Sequence, residues 1–174
     1  PEYFIENQRG DSNPHAKLSC LESAQIIIDH VTEGIKLAKK HGLPQVIINF
    51  IATHHGTTRV EYFYRHYLKE NPNGEQDKAR FQYPGPRPKT REETILMMAD
   101  SLEASSKSLK SPTGKDIDDL VERIIASKIE NRQFEESEMT FEELNKCKIV
   151  FKQLLRSINH VRVEYPDEQT EKVK

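Results

Sequence analysis

The amino-acid sequence predicts an all-α domain of about six helices. Apolar residues recur at spacings of three and four along most of the chain, which is the periodicity of amphipathic helices. Three Ser/Thr-x-x-Glu patterns, starting at Ser19, Thr90 and Thr140, mark helix starts because such pairs form capping boxes. Only residues 161–165 (VRVEY) alternate as a strand does. We therefore expect helices that pack on helices.

The first half of the chain predicts three of these helices. The first begins at Ser19 and is stopped by Gly42, and the second runs from Pro44 to about residues 55–56. The third spans about 58–69 and ends at an Asn-Pro-Asn-Gly turn.

The second half predicts one long loop and three more helices. Residues 81–88 (FQYPGPRP) contain three prolines and must form an extended or turning loop. Helices follow over about 90–104, 116–131 and 140–160, and the Pro-Thr-Gly sequence at 112–114 separates the first two. We assign residues 1–166 to one domain and residues 167–174 to a polar tail.

Composition excludes several classes of protein. No apolar run approaches the ~18 residues that a membrane helix requires. The net charge of -2 and the pI near 6.4 argue against a dedicated binder of nucleic-acid polymers, which would usually be basic. The two cysteines, Cys20 and Cys147, form no metal-binding pattern and are expected to be ordinary thiols.

The sequence His54-His55-Gly56-Thr57 is the densest group of chemistry-bearing residues. Neighbouring residues of a continuous helix point about 100° apart, so two adjacent histidines would not share one face. Because the glycine ends the helix, both rings can converge on one small region. Neutral imidazole is the commonest metal ligand, so the pair indicates a metal centre. Two exposed polar side chains are the alternative.

His30 and Asp100 lie at the borders of apolar segments on two other predicted helices. A histidine in such a place can also be a core residue that hydrogen-bonds a backbone carbonyl. A carboxylate there costs several kcal/mol if it is buried without a partner, and a cation would remove that cost. Together with the histidine pair they form a His-and-carboxylate set, which suits Fe, Mn or Zn better than Ca or Mg.

Several further side chains have two interpretations each. His15 follows a proline in a turn and could line the entrance of a site, and residues 62–64 (YFY) could stack on a base or pack between helices. Four cations could neutralise a phosphate, although each is singly more typical of a solvated surface: Arg59, Arg65, Arg87 and Lys89. Three histidines are expected at helix ends or on the surface: His41, His66 and His160.

A series of short motifs, in order along the chain, matches a known family. They are YFIENQ at 3–8, NPH at 13–15, IIIDHVTEG at 26–34, LP at 43–44, HHGTT at 54–58, FQYPGPRPKT at 81–90, ILMMADSLEAS at 95–105 and YP at 165–166. With them the chain resembles the HD-domain cyclic-di-AMP phosphodiesterases of the bacterial seven-transmembrane HD type. The related HD-GYP enzymes share the metal ligands but not these motifs.

The resemblance implies a site with two divalent transition metals, Fe or Mn, that hydrolyses one phosphodiester of cyclic-di-AMP to give pApA. By family analogy His30, His54 and His55 bind one metal. Asp100 binds the other and is the catalytic residue. Contact with the cyclic dinucleotide is assigned to five residues, the last three from their charge and loop position: Gly56, Thr57, Arg59, Tyr83 and Arg87.

One family feature is missing, because no His-Asp dipeptide occurs in the 174 residues. We therefore expect an HD-domain-like bundle that is N-terminally truncated, holds at most one metal and hydrolyses its substrate poorly or not at all. Truncation would also expose an apolar surface that could drive self-association. The resemblance further implies a soluble, cytoplasmic domain of an inner-membrane protein. A non-catalytic helical domain that binds nucleotides or partners is the alternative function.

Overall fold

The computed structural model describes residues 14–160, apart from the side chain of His160. The six α-helices are α1 (Cys20–Lys40), α2 (Gln45–Thr53), α3 (Glu61–Glu70), α4 (Arg91–Ser106), α5 (Gly114–Glu130) and α6 (Phe141–His160), and Pro14–Lys17 and Gly74–Phe81 form 3-10 helices. The all-α prediction with six helices is confirmed. The predicted strand at 161–165, the tail at 167–174 and the motifs at 3–8 and 165–166 lie outside the described residues.

The predicted capping boxes are present, and each begins its helix at the expected residue. The three pairs are Ser19 with Glu22, Thr90 with Glu93, and Thr140 with Glu143. A fourth box joins Thr113 to Asp116, so α5 begins at Gly114 and not near residue 116. The Pro-Thr-Gly segment thus not only separates two helices, as predicted, but also supplies the N-cap threonine of α5, which was not predicted.

The start of α3 differs from the prediction because a short pairing of extended segments precedes it. The Val60 amide donates to the Phe81 carbonyl at 2.8 Å, and the Tyr83 amide donates to the Thr58 carbonyl at 2.9 Å. This pairing keeps residues 58–60 extended, so α3 begins at Glu61. It also holds the proline-rich loop beside the end of α2.

The helices form two packed groups. On one side α1 packs against α2 and α3, with a core that includes Ala24, Tyr64 and Phe81. On the other side α4, α5 and α6 bury a larger cluster: Met98, Leu102, Ile117, Val121, Ile125, Leu144 and Leu155. Because α2 also contacts α4, the two groups meet where α2 ends.

Some apolar side chains remain exposed. One set lies at the end of α1 and the start of α2 and a second lies along α6: Leu37, Leu43, Val46 and Ile47, then Ile149, Val150, Leu154 and Ile158. Self-association through an apolar surface stays a prediction. None of the helices between residues 14 and 160 has a stretch both long and apolar enough to cross a membrane.

We expect Leu102→Ala to lower the free energy of unfolding by about 2–5 kcal/mol, because Leu102 is 1% exposed and its removal leaves a cavity in the larger cluster. Leu37→Ala is the matched control, since Leu37 is 57% exposed, and should change stability by no more than about 0.5 kcal/mol. Urea unfolding followed by circular dichroism measures both. Equal losses in the two variants would contradict the assignment of the core.

Candidate metal centre

Three histidines from two neighbouring helices meet at the junction of the two helix groups. His30 lies in the middle of α1, whereas His54 and His55 directly follow α2. One ring nitrogen from each lies within 4.8 Å of those of the other two. The Nε2 atoms of His30 and His54 are 3.1 Å apart. The structure therefore brings together three of the four residues predicted to bind metal.

Backbone carbonyls fix the orientation of two of these rings. Nδ1 of His30 donates to the Ile27 carbonyl, and Nδ1 of His54 donates to the Ile51 carbonyl at 2.8 Å. A carbonyl oxygen can only accept, so both Nδ1 atoms carry a hydrogen. In the neutral rings both Nε2 atoms then present lone pairs toward each other, an arrangement that a bound cation stabilises. Metal-binding histidines typically have such a carbonyl partner on the other ring nitrogen.

Burial keeps the histidine pair neutral. Burial, with a smaller contribution from repulsion by His54 and His30 when they are charged, lowers the pKa of His55 to about 2. Burial also lowers the pKa of His54 below its usual 6.5. Both residues are therefore neutral at neutral pH. Neutral imidazole is the form that binds metal.

Asp100 of α4 lies beside His55 and outside the three-histidine group. One of its carboxylate oxygens is 3.5 Å from Nδ1 of His55. The contact is not an ion pair, because His55 is neutral. Burial raises the pKa of Asp100 above its usual range, and His54, when it is protonated, and Lys128 act in the opposite direction. The predicted carboxylate is therefore at the site, and its side chain is 38% exposed.

Gly56 makes the turn that presents the histidine pair. Its φ is +53°, which side chains rarely adopt, and a Cβ there would lie 2.5 Å from Oε1 of Gln133 and 2.8 Å from Cε of Met97. A glycine is therefore required at this position. Gly56 is buried and does not line the cleft that opens beside His55. Its contact with substrate stays a prediction.

A cleft of about 800 Å³ opens beside His55. Among its lining residues are the other predicted substrate contacts: Thr57, Arg59, Tyr83 and Arg87. The Tyr83 ring stacks on the His55 ring with centroids 4.2 Å apart. The charged lining residues are five basic ones, Arg59, Arg65, Lys78, Arg87 and Lys128, and two acidic ones, Glu61 and Asp100. Its lining therefore favours an anionic ligand.

Carboxylates and an aromatic ring hold the two predicted arginines in place. Arg59 pairs with Glu61 at 3.1 Å and lies over the ring of Tyr64. Arg87 pairs with Glu135 at 3.0 Å, and its Nε donates to the Thr57 hydroxyl at 3.3 Å. Neither is a loosely solvated surface charge.

Sequence reasoning missed two residues at this site. Lys128 of α5 lines the cleft near Asp100, and burial lowers its pKa to about 8. Gln133, in the segment between α5 and α6, reaches Thr57. A lysine on a polar helix face and a glutamine in a loop carry no local signal, so only the tertiary contacts identify them.

The other histidines lie elsewhere. His41 caps the end of α1, as predicted, whereas His66 is half-buried on α3 and not a fully exposed surface residue. The turn predicted at His15 is a 3-10 helix, in which the ring is buried and lies 4.9 Å from that of Phe63. The helix-packing interpretation of residues 62–64 holds for Tyr64, which is buried, while Tyr62 is exposed at the cleft rim. The ring of His160 lies outside the described structure.

Comparisons with known proteins agree on one family. Residues 6–105 match the model of the HD domain. The chain is 40% identical to the cyclic-di-AMP phosphodiesterase PgpH of Bacillus subtilis over 175 residues, covering all of this chain and 24% of the relative. It is 36% identical to PgpH of Listeria monocytogenes, covering 97% of this chain and 23% of the relative. The chain thus spans about a quarter of the length of these curated relatives.

Solved structures give the same result. The HD domain of Listeria monocytogenes PgpH in complex with cyclic-di-AMP superposes with a TM-score of 0.87 at 35% sequence identity, covering 91% of this chain and 73% of that one. The same domain, solved separately, gives a TM-score of 0.85 and covers 92% and 74%.

We expect the metal-free chain to lose stability as the pH falls below 6.5. The unfolded state takes up a proton on His55 near pH 6.5, whereas the folded state does so only near 2. The loss should approach about 1.4 kcal/mol per pH unit for this histidine. Asp100 contributes with the opposite sign, because its raised pKa makes the folded state take up the proton first.

Urea unfolding in EDTA between pH 7.5 and 5 gives the pH dependence of the free energy of unfolding. The difference between wild type and His55→Gln is the contribution of His55. The variant should have the smaller pH slope. Replacement of the exposed His41 by glutamine is the control and should leave the slope unchanged. An identical slope in wild type and His55→Gln would show that His55 is not a buried neutral group.

Proposed function

The chain belongs to the HD-domain family, and from this premise we propose that it is a metal-dependent phosphodiesterase domain that acts on cyclic-di-AMP. The observation that carries the proposal is the pair of facing Nε2 atoms of His30 and His54, 3.1 Å apart, with both Nδ1 atoms bonded to carbonyls. This pair lies beside a basic cleft. Two relatives that match nearly the whole chain are named as cyclic-di-AMP phosphodiesterases, which supports this substrate.

The ligand set fits divalent transition metals. His30, His54 and His55 would hold one ion through ring nitrogens, and the Asp100 carboxylate would belong to a second, with Fe or Mn as the expected metals. Such ions, when bound, supply Lewis-acid stabilisation of charge on phosphate oxygens. The stacked ring of Tyr83 covers one face of His55 and restrains its orientation.

The cleft suits a cyclic dinucleotide. Its volume of about 800 Å³ lies within the range of ~300–1,000 Å³ that is usual for small-molecule sites. Each of the two phosphodiesters carries one negative charge, which Arg59, Arg87 and Lys128 can neutralise. The arginines are held by their carboxylate partners, so little ordering is needed when the phosphate binds.

The 174-residue polypeptide is not expected to complete the reaction. It contains no His-Asp dipeptide, which in this family supplies ligands to both metals. We infer that this polypeptide holds at most one ion and that hydrolysis to pApA requires a His-Asp dyad from outside these residues.

Elemental analysis after loading with Mn²⁺ should find bound metal in the 174-residue chain, and no more than one equivalent of it. His54→Ala should lower the bound metal at least tenfold, because it removes one of three ligands. His66→Ala is the control, since His66 lies on α3 outside the three-histidine group, and should retain the metal content. Circular dichroism verifies that each variant is folded. No metal in the wild type, or equal metal in His54→Ala, would contradict the proposed ligand set.

Cyclic-di-AMP should bind to the Mn²⁺-loaded chain, and Arg87→Gln should weaken that binding by roughly tenfold or more, because a hydrogen bond to a charged group contributes about 1.5–3 kcal/mol. Arg123→Gln, on an exposed position of α5, is the matched control. Calorimetry gives the affinities, and chromatography of pApA gives the turnover.

Three results of that experiment separate the possibilities. Binding with negligible turnover supports the proposal for this polypeptide. Substantial turnover by the pure chain would show that the dyad is dispensable. Tight binding of the nucleotide without any bound metal would instead favour a non-catalytic nucleotide-binding domain.

A further inference from the structure

One buried side chain far along the sequence holds the turn that carries the histidine pair. Gln133 is 2% exposed. Its Oε1 accepts from the Thr57 amide at 2.9 Å, and its Nε2 donates to the Thr57 hydroxyl at 3.0 Å and to the Asn131 carbonyl at 2.8 Å. Both ends of the amide are therefore hydrogen-bonded inside the protein.

The backbone determines which way this amide points. The Thr57 N–H can only donate, so it must face the amide oxygen, and the Asn131 carbonyl can only accept, so it must face the amide nitrogen. If the amide were flipped, its nitrogen would face the Thr57 N–H and its oxygen would face the Asn131 carbonyl, so neither hydrogen bond could form. Gln133 is consequently held in one orientation, and it holds Thr57 in turn.

Thr57 connects this amide to both functional parts of the site. It follows His55 by two residues, and the intervening Gly56 packs directly against Oε1 of Gln133. Its hydroxyl also accepts from Nε of Arg87 at 3.3 Å. The segment that carries Gln133 supplies Glu135 as well, which pairs with Arg87 at 3.0 Å.

This segment lies beyond the part of the chain that matches the HD-domain family model, which ends at residue 105. Thr57 and Gln133 are 76 residues apart in sequence. The family model covers the histidine motif but not the segment that carries Gln133. The contacts between Gln133 and Thr57 therefore join the two.

We propose that Gln133 is a positioning residue of the metal centre, which sets the ring of His55 and the guanidinium of Arg87 through its hydrogen bonds to Thr57. The inference rests on the proposed function, because it assigns Gln133 a role in that same site. A glutamine that merely ties the segment between α5 and α6 to the core would stabilise the fold without affecting the histidines.

Two variants of the 174-residue chain distinguish these roles. Gln133→Met keeps the length of the side chain and removes its hydrogen bonds to Thr57. Thr94→Val removes a different buried bond to the same segment, that between the hydroxyls of Thr94 and Ser137 at 2.7 Å, away from the cleft. Both should lower the melting temperature, so stability alone does not separate them.

The probe is Co²⁺, whose visible absorption reports both affinity and ligand geometry. Gln133→Met should weaken Co²⁺ binding by about 10–100-fold, the usual effect of losing an outer partner of a metal ligand, and should alter the absorption spectrum. It should also shift the ring resonances of His55 in the metal-free chain. Thr94→Val should change the affinity less than twofold and leave both spectra unaltered.

Equal behaviour of the two variants in Co²⁺ affinity and in the His55 resonances would overturn the proposal. If the wild-type chain binds no Co²⁺, the proposed metal site fails, and the metal-free resonances still test whether Gln133 positions His55. If Gln133→Met does not fold, Gln133→Leu replaces it with the same readouts, since leucine also lacks both hydrogen bonds to Thr57.

Discussion

The hydrogen bonds from His30 and His54 to carbonyls of their own helices determine the form of the site. Each ring uses Nδ1 to bond the backbone three residues earlier, so the side-chain direction follows from the helix itself. Because α1 and α2 pack side by side, the two Nε2 atoms then meet at 3.1 Å. The positions of the two rings are thus set by backbone and packing, which would reduce the reorganisation that metal binding at this candidate centre requires.

The site depends equally on parts of the chain that are distant in sequence. The first helix group supplies the histidines and the ring of Tyr83, and α4 and α5 supply Asp100 and Lys128 across the junction. The segment between α5 and α6 contributes Gln133. The cleft is therefore lined by residues of both helix groups.

The sequence was informative where the signal is local. Capping boxes gave helix starts, and the histidine motif identified the candidate metal centre, because glycine after a histidine pair has a definite local meaning. Pairing of residues 58–60 with 81–83 was not predictable, because it depends on a contact across some twenty residues. The roles of Lys128 and Gln133 could not be predicted for the same reason, since each role depends on residues that only tertiary packing brings close.

The same extended pairing encloses α3 and the 3-10 helix at Gly74–Phe81 between two points fixed next to His55. Four residues of this enclosed stretch, Glu61, Tyr62, Arg65 and Lys78, form part of the cleft wall. The exposed members Tyr62, Arg65 and Lys78 can therefore vary in evolution while the paired segments keep Tyr83 stacked on His55. The cleft could in this way change the ligands that it accepts through these exposed positions, while the three-histidine group stays as it is.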